Sequence, residues 1–265
     1  MIKSKIKSIV LGGLLQKGRY PTVATPRDSV AALLHALNPK FTGHELIRLG
    51  PNGDGGYLLP NDLEGISALF SPGVDRESRF ESACAELGLR VFLADYSVEG
   101  PAGDYPDFDF EKKFLGSWNH GHFITLESWI ESKFPGNNDL LLQMDIEGFE
   151  YETLLVAPAE VLKRFRIIVI EFHHLTELWN SFFFSNAAAC FHKLLGDFVC
   201  VHIHPNNIEH CSVGMGIDLP RVAEFTFLRR DRVRCSTPVD TLPHLLDCPN
   251  VDAPPVNLSG LWYGA

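Results

Sequence analysis

The stretch D-L-L-L-Q-M-D-I-E-G-F-E-Y-E-T-L-L, residues 139–155, decides the fold of this 265-residue chain. Its apolar run ends at Asp145 and Glu147, and apolar residues at helical spacing begin directly after Gly148. The pattern predicts a buried strand with two carboxylates at its carboxyl end, where open α/β sheets bind ligands. A strand that ends in a solvated acidic turn is the alternative interpretation.

Strands and helices alternate on both sides of this stretch, which predicts an α/β fold with a mostly parallel sheet. Short apolar runs indicate the strands, and apolar residues at helical spacing indicate the helices. The predicted strands are 66–70, 90–94, 110–115, 140–144, 166–170, 199–203 and 222–228, and the main predicted helices are 28–37, 78–87, 126–133 and 183–195. We expect Asp28 and Thr125 to be the N-caps of their helices.

The composition predicts one globular domain, 41–234, with a helical segment at 1–40 and an extended tail at 235–265 packed on the domain. The basic and apolar N-terminus predicts at most weak contact with a membrane surface. A formal charge of -10 disfavours nucleic acid as a partner, because such proteins usually present a basic face. The six cysteines lack C-x-x-C spacing, which favours reduced thiols in a cytoplasmic protein.

A nucleoside site is predicted at the first two strands of the sheet. The turn Ser71-Pro72-Gly73-Val74-Asp75 follows one strand, and Asp95 ends the next. In Rossmann-like folds, a glycine at this turn approaches the ligand and an acid at the second strand holds the ribose. The turn lacks the G-x-G-x-x-G pattern that holds a pyrophosphate. This favours a nucleoside without phosphates over NAD or FAD.

A glycine-rich loop precedes these strands, with Asp54-Gly55-Gly56-Tyr57 at its end. Its glycines would let the backbone approach a ligand closely. The same residues also fit an ordinary hairpin turn, because Asn-Gly and Asp-Gly are common turn dipeptides. The loop taken alone does not separate these two interpretations.

The order of these motifs resembles that of the FkbM-type S-adenosylmethionine-dependent methyltransferases, in the methyltransferase-like branch that carries a D-G-G-Y segment. The resemblance covers roughly residues 41–230, and its most specific part is the D-x-E-G-x-E block. The matching motifs are Arg48 with D-G-G-Y (54–57), S-P-G-V-D (71–75) with Phe80-Glu81, L-A-D-Y (93–96), T-L-E-S-W (125–129), M-D-I-E-G-F-E (144–150), I-E-F-H (170–173) and H-I-H-P-N-N (202–207).

The resemblance implies a Rossmann-like class I methyltransferase with a seven-stranded sheet, one antiparallel strand and helices on both faces. It also implies methyl transfer from S-adenosylmethionine to an oxygen, often a sugar hydroxyl in glycan or polysaccharide synthesis. The residues expected to contact the cofactor are Asp54, Gly55, Tyr57, Ser71, Gly73, Asp75, Asp95, Ser117 and Asp145. The oligomeric state is not indicated by the sequence.

A base is needed to take the proton from a weakly acidic hydroxyl. Histidine is suited to this task near neutral pH, and we favour His173 with Asp145 or Glu171 as the residue that orients it. Other polar groups at strand ends, Glu147, His174, His202 and His204, remain alternatives. Alternation along a strand places His202 and His204 on one face, and His173 and His174 on opposite faces.

Asp145, Glu171 and His204, with His173, could instead bind a divalent metal such as magnesium or manganese, because carboxylates and imidazoles form mixed sites. Two rival functions follow from the same residues. A metal-dependent hydrolase would use the acids and imidazoles without the nucleoside site. A non-catalytic module would bind S-adenosylmethionine without turning it over.

Overall fold

The computed structural model describes residue 14 and residues 21–74, 78–101, 107–208 and 211–264. The helices are α1 (Arg27–Ala36), α2 (Arg79–Glu86), α3 (Leu126–Lys133), α4 (Glu150–Val156), α5 (Ala159–Leu162) and α6 (Ser181–Asp197), with 3-10 turns at Leu175–Trp179 and Arg230–Arg232. The strands are β1 (Lys40–Phe41), β2 (Leu46–Leu49), β3 (Tyr57–Pro60), β4 (Ala68–Pro72), β5 (Arg90–Ala94), β6 (Asp109–Glu111), β7 (Phe114–Leu115), β8 (Phe123–Ile124), β9 (Leu140–Met144), β10 (Phe165–Phe172), β11 (Phe198–Pro205), β12 (Ser212–Gly214), β13 (Ile217–Leu219), β14 (Ala223–Arg229) and β15 (Thr237–Pro238).

Seven strands form the central sheet, in the order β11-β14-β10-β9-β4-β5-β6. Strand β14 runs antiparallel to both of its neighbours, β10 and β11, and the other adjacent pairs are parallel. The predicted mostly parallel sheet with one antiparallel strand is therefore confirmed. Its carboxyl edge gathers the residues that follow β4, β5, β9, β10 and β11.

The central strands are buried on both faces, as expected for a parallel sheet covered by helices. Alternate residues along each strand enter two apolar layers, because successive side chains point to opposite faces. Phe80 of α2 packs in one layer, and Trp129 of α3 and Phe191 of α6 pack in the other. Helices on both faces, as predicted, thus hold the carboxyl edge in place.

Several local predictions are corrected. Helix α1 begins at Arg27 with Pro26 as its N-cap, so the assignment of Asp28 as cap is wrong. The predicted strand 110–115 is two short strands, β6 and β7, in different sheets. Thr125 does cap α3, because its side chain accepts a hydrogen bond from the Ser128 backbone at 3.3 Å.

The two ends of the chain differ in how far they are described. The predicted N-terminal segment and its membrane contact fall largely on residues outside the described ranges. The tail after residue 234 forms no helix in residues 235–264 and one short strand, β15, which pairs with β1. Trp262 is fully buried and donates to the Asp218 backbone oxygen at 2.9 Å, so the tail packs on the domain. The division into domains stays a prediction. None of the described helices is long and apolar enough to cross a membrane.

Candidate active site

A cavity of about 300 Å³ opens at the carboxyl ends of β4, β5 and β9. This volume lies within the range of small-molecule sites. Its lining combines aromatic and aliphatic side chains with a few carboxylates and backbone groups. The lining residues are Gly73, Ala94, Asp95, Ser97, Phe114, Leu115, Phe123, Asp145, Ile146, Glu147 and Phe149.

The turn between β9 and α4 forms one wall of this cavity. Glu147 and Gly148 adopt positive φ angles of 56° and 105°, which reverse the chain within two residues. A side chain at Gly148 would meet the His174 ring at 2.9 Å, so glycine is required there for space as well as for conformation. The turn places Asp145 beside the cavity and Glu150 in the first turn of α4.

Glu150 is a candidate site residue that the sequence analysis did not select. Its side chain is 0% exposed, and Oε1 accepts hydrogen bonds from the backbone of Gly148 at 2.9 Å and Ile146 at 3.3 Å. The same oxygen lies 3.0 Å from Nδ1 of His173. Glu150 therefore orients the imidazole, and the expectation that Asp145 or Glu171 does so is corrected.

The other ring nitrogen of His173, Nε2, faces three carboxylates. Glu147 lies 3.4 Å away, Asp145 3.8 Å away and Glu171 3.9 Å away. Burial lowers the pKa of His173, but the hydrogen bond and charge of Glu150 and the neighbouring carboxylates outweigh it, so the pKa is raised. With Nδ1 bonded to Glu150, Nε2 is the nitrogen that can exchange a proton with a ligand.

The carboxylates of this cluster hold protons more strongly than usual. Burial raises the pKa of Asp145 to about 7, against an opposing effect of His173, and the charges of Glu147, Glu150 and Asp54 add to the increase. Burial also raises the pKa of Glu171 well above its ordinary value, with Asp145 contributing. Oδ1 of Asp145 is buried without a hydrogen-bond partner among the described residues. Such perturbed groups in a cleft are typical of functional sites.

The predicted metal set is only partly assembled. Ligand atoms of Asp145, Glu171 and His173 lie within 4.8 Å of one another, close enough for a shared ion. His204 does not join them, so this part of the prediction is wrong. His204 lies on β11, and the antiparallel strand β14 separates β11 from β10. Glu224 of β14 pairs with Glu171 on one side and with His204 on the other. The backbones of Glu171 and His204 are therefore two strand spacings apart, about 9 to 10 Å.

Two predicted cofactor residues, Gly73 and Asp95, lie in the cavity wall with Asp145. Gly73 has φ +89°, and a Cβ there would lie 1.5 Å from the Asp145 backbone oxygen, so glycine lets the two loops meet. Asp95 accepts hydrogen bonds from the Val74 backbone at 3.0 Å and from the backbone and hydroxyl of Ser97, both at 2.6 Å. Its carboxylate thus supports the β4 turn and borders the cavity.

The remaining cofactor predictions concern six residues. Ser71 and Tyr57 are buried and contact Gln143 at 2.6 and 3.0 Å, so their hydroxyls have partners inside the protein. Asp54 is exposed in its loop and its charge raises the pKa of Asp145, while Gly55 follows it in the same loop. Ser117 lies 3.2 Å from Glu152 and outside the cavity lining. Asp75 lies outside the described residues, and the roles of all six stay predictions.

The segment that carries the imidazole and its carboxylates is similar to a known protein family. Residues 124–192 match the Methyltransferase FkbM domain. This match confirms the predicted resemblance over the segment from the end of β8 into α6. The FkbM segment includes Asp145, Glu150, Glu171 and His173, and it supports methyltransferase activity with S-adenosylmethionine as the methyl donor. Gly73 and Asp95 lie outside it.

Two solved structures are similar to this chain at low identity. One is a protein described as an RNA methyltransferase, PH1948 from Pyrococcus horikoshii, with 12% identity, a TM-score of 0.32, and coverage of 77% of this chain and 86% of that chain. The other is PigF with SAH, with 10% identity, a TM-score of 0.28, and coverage of 63% and 58%.

Proposed function

We propose that this chain is an S-adenosylmethionine-dependent O-methyltransferase that acts on a hydroxyl of a sugar or a related small molecule. The observation that carries the proposal is the pair of Glu150 and His173, joined at 3.0 Å beside the cavity that Asp95 and Asp145 line. A buried acid that orients an imidazole is the arrangement of a general base. The FkbM match over this pair supplies the reaction class.

The cavity suits a nucleoside ligand without phosphates. Its lining residues, as far as the structure describes them, include no lysine or arginine. Asp95 has one lone pair, on Oδ2, beyond those used by Val74 and Ser97, and it could accept a hydrogen bond from a ribose hydroxyl. When bound, S-adenosylmethionine supplies an electrophilic methyl group. The aromatic side chains of Phe123 and Phe149 form an apolar wall beside the place where it would lie.

His173 then has two tasks, which its two ring nitrogens divide. Nδ1 donates to Glu150, so the tautomer and the ring orientation are fixed. Nε2 takes the proton from the acceptor hydroxyl as the oxygen attacks. Asp145 borders both the cavity and the imidazole, at 3.8 Å from Nε2, and is placed to hydrogen-bond the acceptor. Positioning of the two reactants supplies most of the remaining rate enhancement.

Aromatic residues near the mouth of the cavity favour a sugar-like acceptor. Phe123 packs against Trp118 at 5.1 Å and against Phe149 at 5.9 Å between ring centroids. Trp118 is 48% exposed and Phe149 is 41% exposed, so both present ring faces to solvent. Such faces can pack on the C–H face of a sugar ring. The chain charge of -10 disfavours an anionic polymer as acceptor.

The experiment is a transfer assay with labelled S-adenosylmethionine against neutral sugars, glycosides and nucleotide sugars, combined with calorimetry of S-adenosylhomocysteine. We expect micromolar cofactor binding and label transfer to a hydroxyl. Absence of cofactor binding would favour the metal-dependent hydrolase. Binding with no transfer to any acceptor class would favour the non-catalytic module. A cytoplasmic location, based on the six cysteines, stays a prediction.

The triad of Asp145, Glu171 and His173 could alternatively hold magnesium or manganese. Our proposal is the metal-free base. We therefore expect turnover in excess EDTA to be unchanged when magnesium or manganese is added back. A strict requirement for either ion would assign activation of the acceptor hydroxyl to the metal instead of His173.

A further inference from the structure

A second group of imidazoles and a carboxylate lies at the carboxyl end of β11, outside the cavity. His202 Nε2 lies 2.8 Å from Oδ1 of Asp247, and His204 Nδ1 lies 3.4 Å from the same oxygen. The two histidines come from the sheet, whereas Asp247 comes from the C-terminal tail. We call these three residues the tail cluster.

The sequence explains why the tail cluster forms. His202 and His204 are two residues apart on a strand, so both imidazoles point to the same face. The tail then crosses that face, and Oδ2 of Asp247 accepts from the His244 backbone at 2.7 Å, which directs Oδ1 toward the imidazoles. All three ligand atoms lie within 4.8 Å of one another.

The tail cluster has unused coordinating capacity. Both ring nitrogens of His204 are buried, and the side chain is only 12% exposed. Among the described residues, its polar neighbours are Asp247, whose Oδ1 lies 3.4 Å from Nδ1, and Asn250, and neither makes a hydrogen bond of good geometry to the ring. Buried polar atoms without partners are uncommon and call for a missing ligand. Two imidazoles and one carboxylate are ligands that zinc prefers, and they are softer than a magnesium site requires.

We propose that the tail cluster binds a zinc ion that fastens the C-terminal tail to the sheet. Zinc bonds of about 2.0 to 2.2 Å in tetrahedral geometry put ligand atoms roughly 3.3 Å apart. The spacing of 3.4 Å at His204 fits this, and the 2.8 Å spacing at His202 needs a shift of about half an ångström.

A small cavity adjoins the tail cluster and would leave room for a fourth ligand of the ion. This cavity has a volume of about 80 Å³ and is lined by His204, Asp247 and Cys248 among other residues. A single water needs about 10 to 15 Å³ of such volume. A water molecule can therefore complete a tetrahedral site.

Fastening the tail here would also fix a loop of the candidate active site. Asn250, three residues after Asp247, donates to Asp54 at 3.2 Å and to Glu224 at 2.9 Å. Arg48 donates to the Leu246 backbone oxygen at 3.4 Å. Through these contacts, the zinc ion would hold the loop that carries Asp54 beside the catalytic edge.

The test is the metal content and thermal stability of the full chain, purified without a metal-affinity tag. We expect about one zinc per chain by elemental analysis. Saturating zinc should raise the Tm of chelator-treated protein by about 5 to 10 °C, as expected for a site filled well above its dissociation constant. Asp247→Asn and His204→Gln keep the side-chain shapes approximately and should abolish both effects.

Two control variants locate the ion. His244→Gln changes another histidine of the same tail, whose Nδ1 already accepts from the Leu246 backbone, and should keep the zinc. Glu171→Gln alters the other candidate metal group and should also keep it. Loss of zinc only in Glu171→Gln, or zinc retained in Asp247→Asn, would overturn the proposal. A wild-type protein without bound zinc and without a Tm response to zinc would overturn it too.

Discussion

Two clusters of imidazole and carboxylate lie at the same edge of the sheet, and they differ in the ratio of the two groups. Around His173, one imidazole faces four carboxylates, namely Asp145, Glu147, Glu150 and Glu171. In the tail cluster, two imidazoles face one carboxylate, which is Asp247. An excess of carboxylate favours a proton on the imidazole, whereas an excess of imidazole favours a metal ion. Similar residue types are thus suited to different chemistry.

The antiparallel strand β14 keeps the two clusters apart. Glu224 lies between them, paired in register with Glu171 on β10 and with His204 on β11. Burial raises the pKa of Glu224, against the opposing effects of His204, Asn250 and His202. A change confined to one cluster should therefore leave the other assembled, which allows each to be tested separately.

The largest effect is expected from removal of the base. His173→Ala should lower turnover by about 100- to 10,000-fold, the usual contribution of general-base catalysis, with cofactor affinity near that of the wild type. The zinc content should not change. Steady-state kinetics, calorimetry with S-adenosylhomocysteine and elemental analysis measure these three quantities.

The matched control is the adjacent histidine. His174 has φ 61°, a conformation that asparagine tolerates, so His174→Asn should fold and keep most of the activity. If His173→Ala turned over at nearly the native rate, Asp145 would become the candidate base. If it lost cofactor affinity instead, His173 would be assigned to binding.

The next largest effect concerns the residue that orients the base. Glu150→Gln keeps the size of the side chain but removes the charge, and we expect turnover to fall on the order of 100-fold. Glu150 raises the pKa of His173, so the acidic limb of the pH–rate profile should move to lower pH in the variant. A merely structural role would lower the Tm and leave that limb in place.

A smaller effect is expected at the nucleoside site. Asp95→Ala should weaken S-adenosylmethionine binding by about 2 to 3 kcal/mol, the value of a charge-assisted hydrogen bond to a ribose hydroxyl. Ser97→Ala is the control, because it removes one internal partner of Asp95 and keeps the carboxylate. Equal losses in both variants would mean that Asp95 acts only by supporting the loop.

The sequence was sufficient for most strands of the sheet and for the place of His173 at the end of a buried strand, because both depend on local patterns, while the role of His173 as base stays a prediction. Buried strands are apolar runs, and carboxyl ends of parallel strands meet at one edge. The sequence did not predict Glu150, since a glutamate in the first turn of a helix is ordinary. Only its full burial and its hydrogen bonds to the turn at Gly148 indicate a role.

The grouping of His204 with Asp145 failed for a reason of topology. The order of strands along the chain does not show that the last strand of the central sheet, β14, inserts between β10 and β11. Nor does it show where an extended tail crosses the sheet, because residues 235–264 carry little periodicity. Only the three-dimensional structure therefore shows the tail cluster, although the sequence predicts that His202 and His204 share a face.

The last and smallest expected effect is a difference between the two clusters in how the stability of the protein depends on pH. The pKa values of Asp145, Glu171 and His173 are all raised in the folded protein, so the fold binds more protons than the unfolded chain. Their contribution to stability is present at low pH and is lost as pH rises toward the folded pKa values, which is about 7 for Asp145. The pKa of His204 is also raised, against the effect of burial, by Asp247 and Glu224, and it acts in the same direction without zinc.

Zinc reverses this dependence in the tail cluster, because it binds only neutral imidazoles. We therefore expect the Tm of chelator-treated protein to fall by a few °C between about pH 5 and 8, and the increment from added zinc to grow over the same range. Asp145→Asn should flatten the decrease in the Tm of chelator-treated protein with pH and leave the zinc increment unchanged. Asp247→Asn should remove the zinc increment and keep most of the decrease with pH. Differential scanning calorimetry at several pH values measures both. A single variant that removed both trends would show that the clusters act as one unit and that β14 does not separate them.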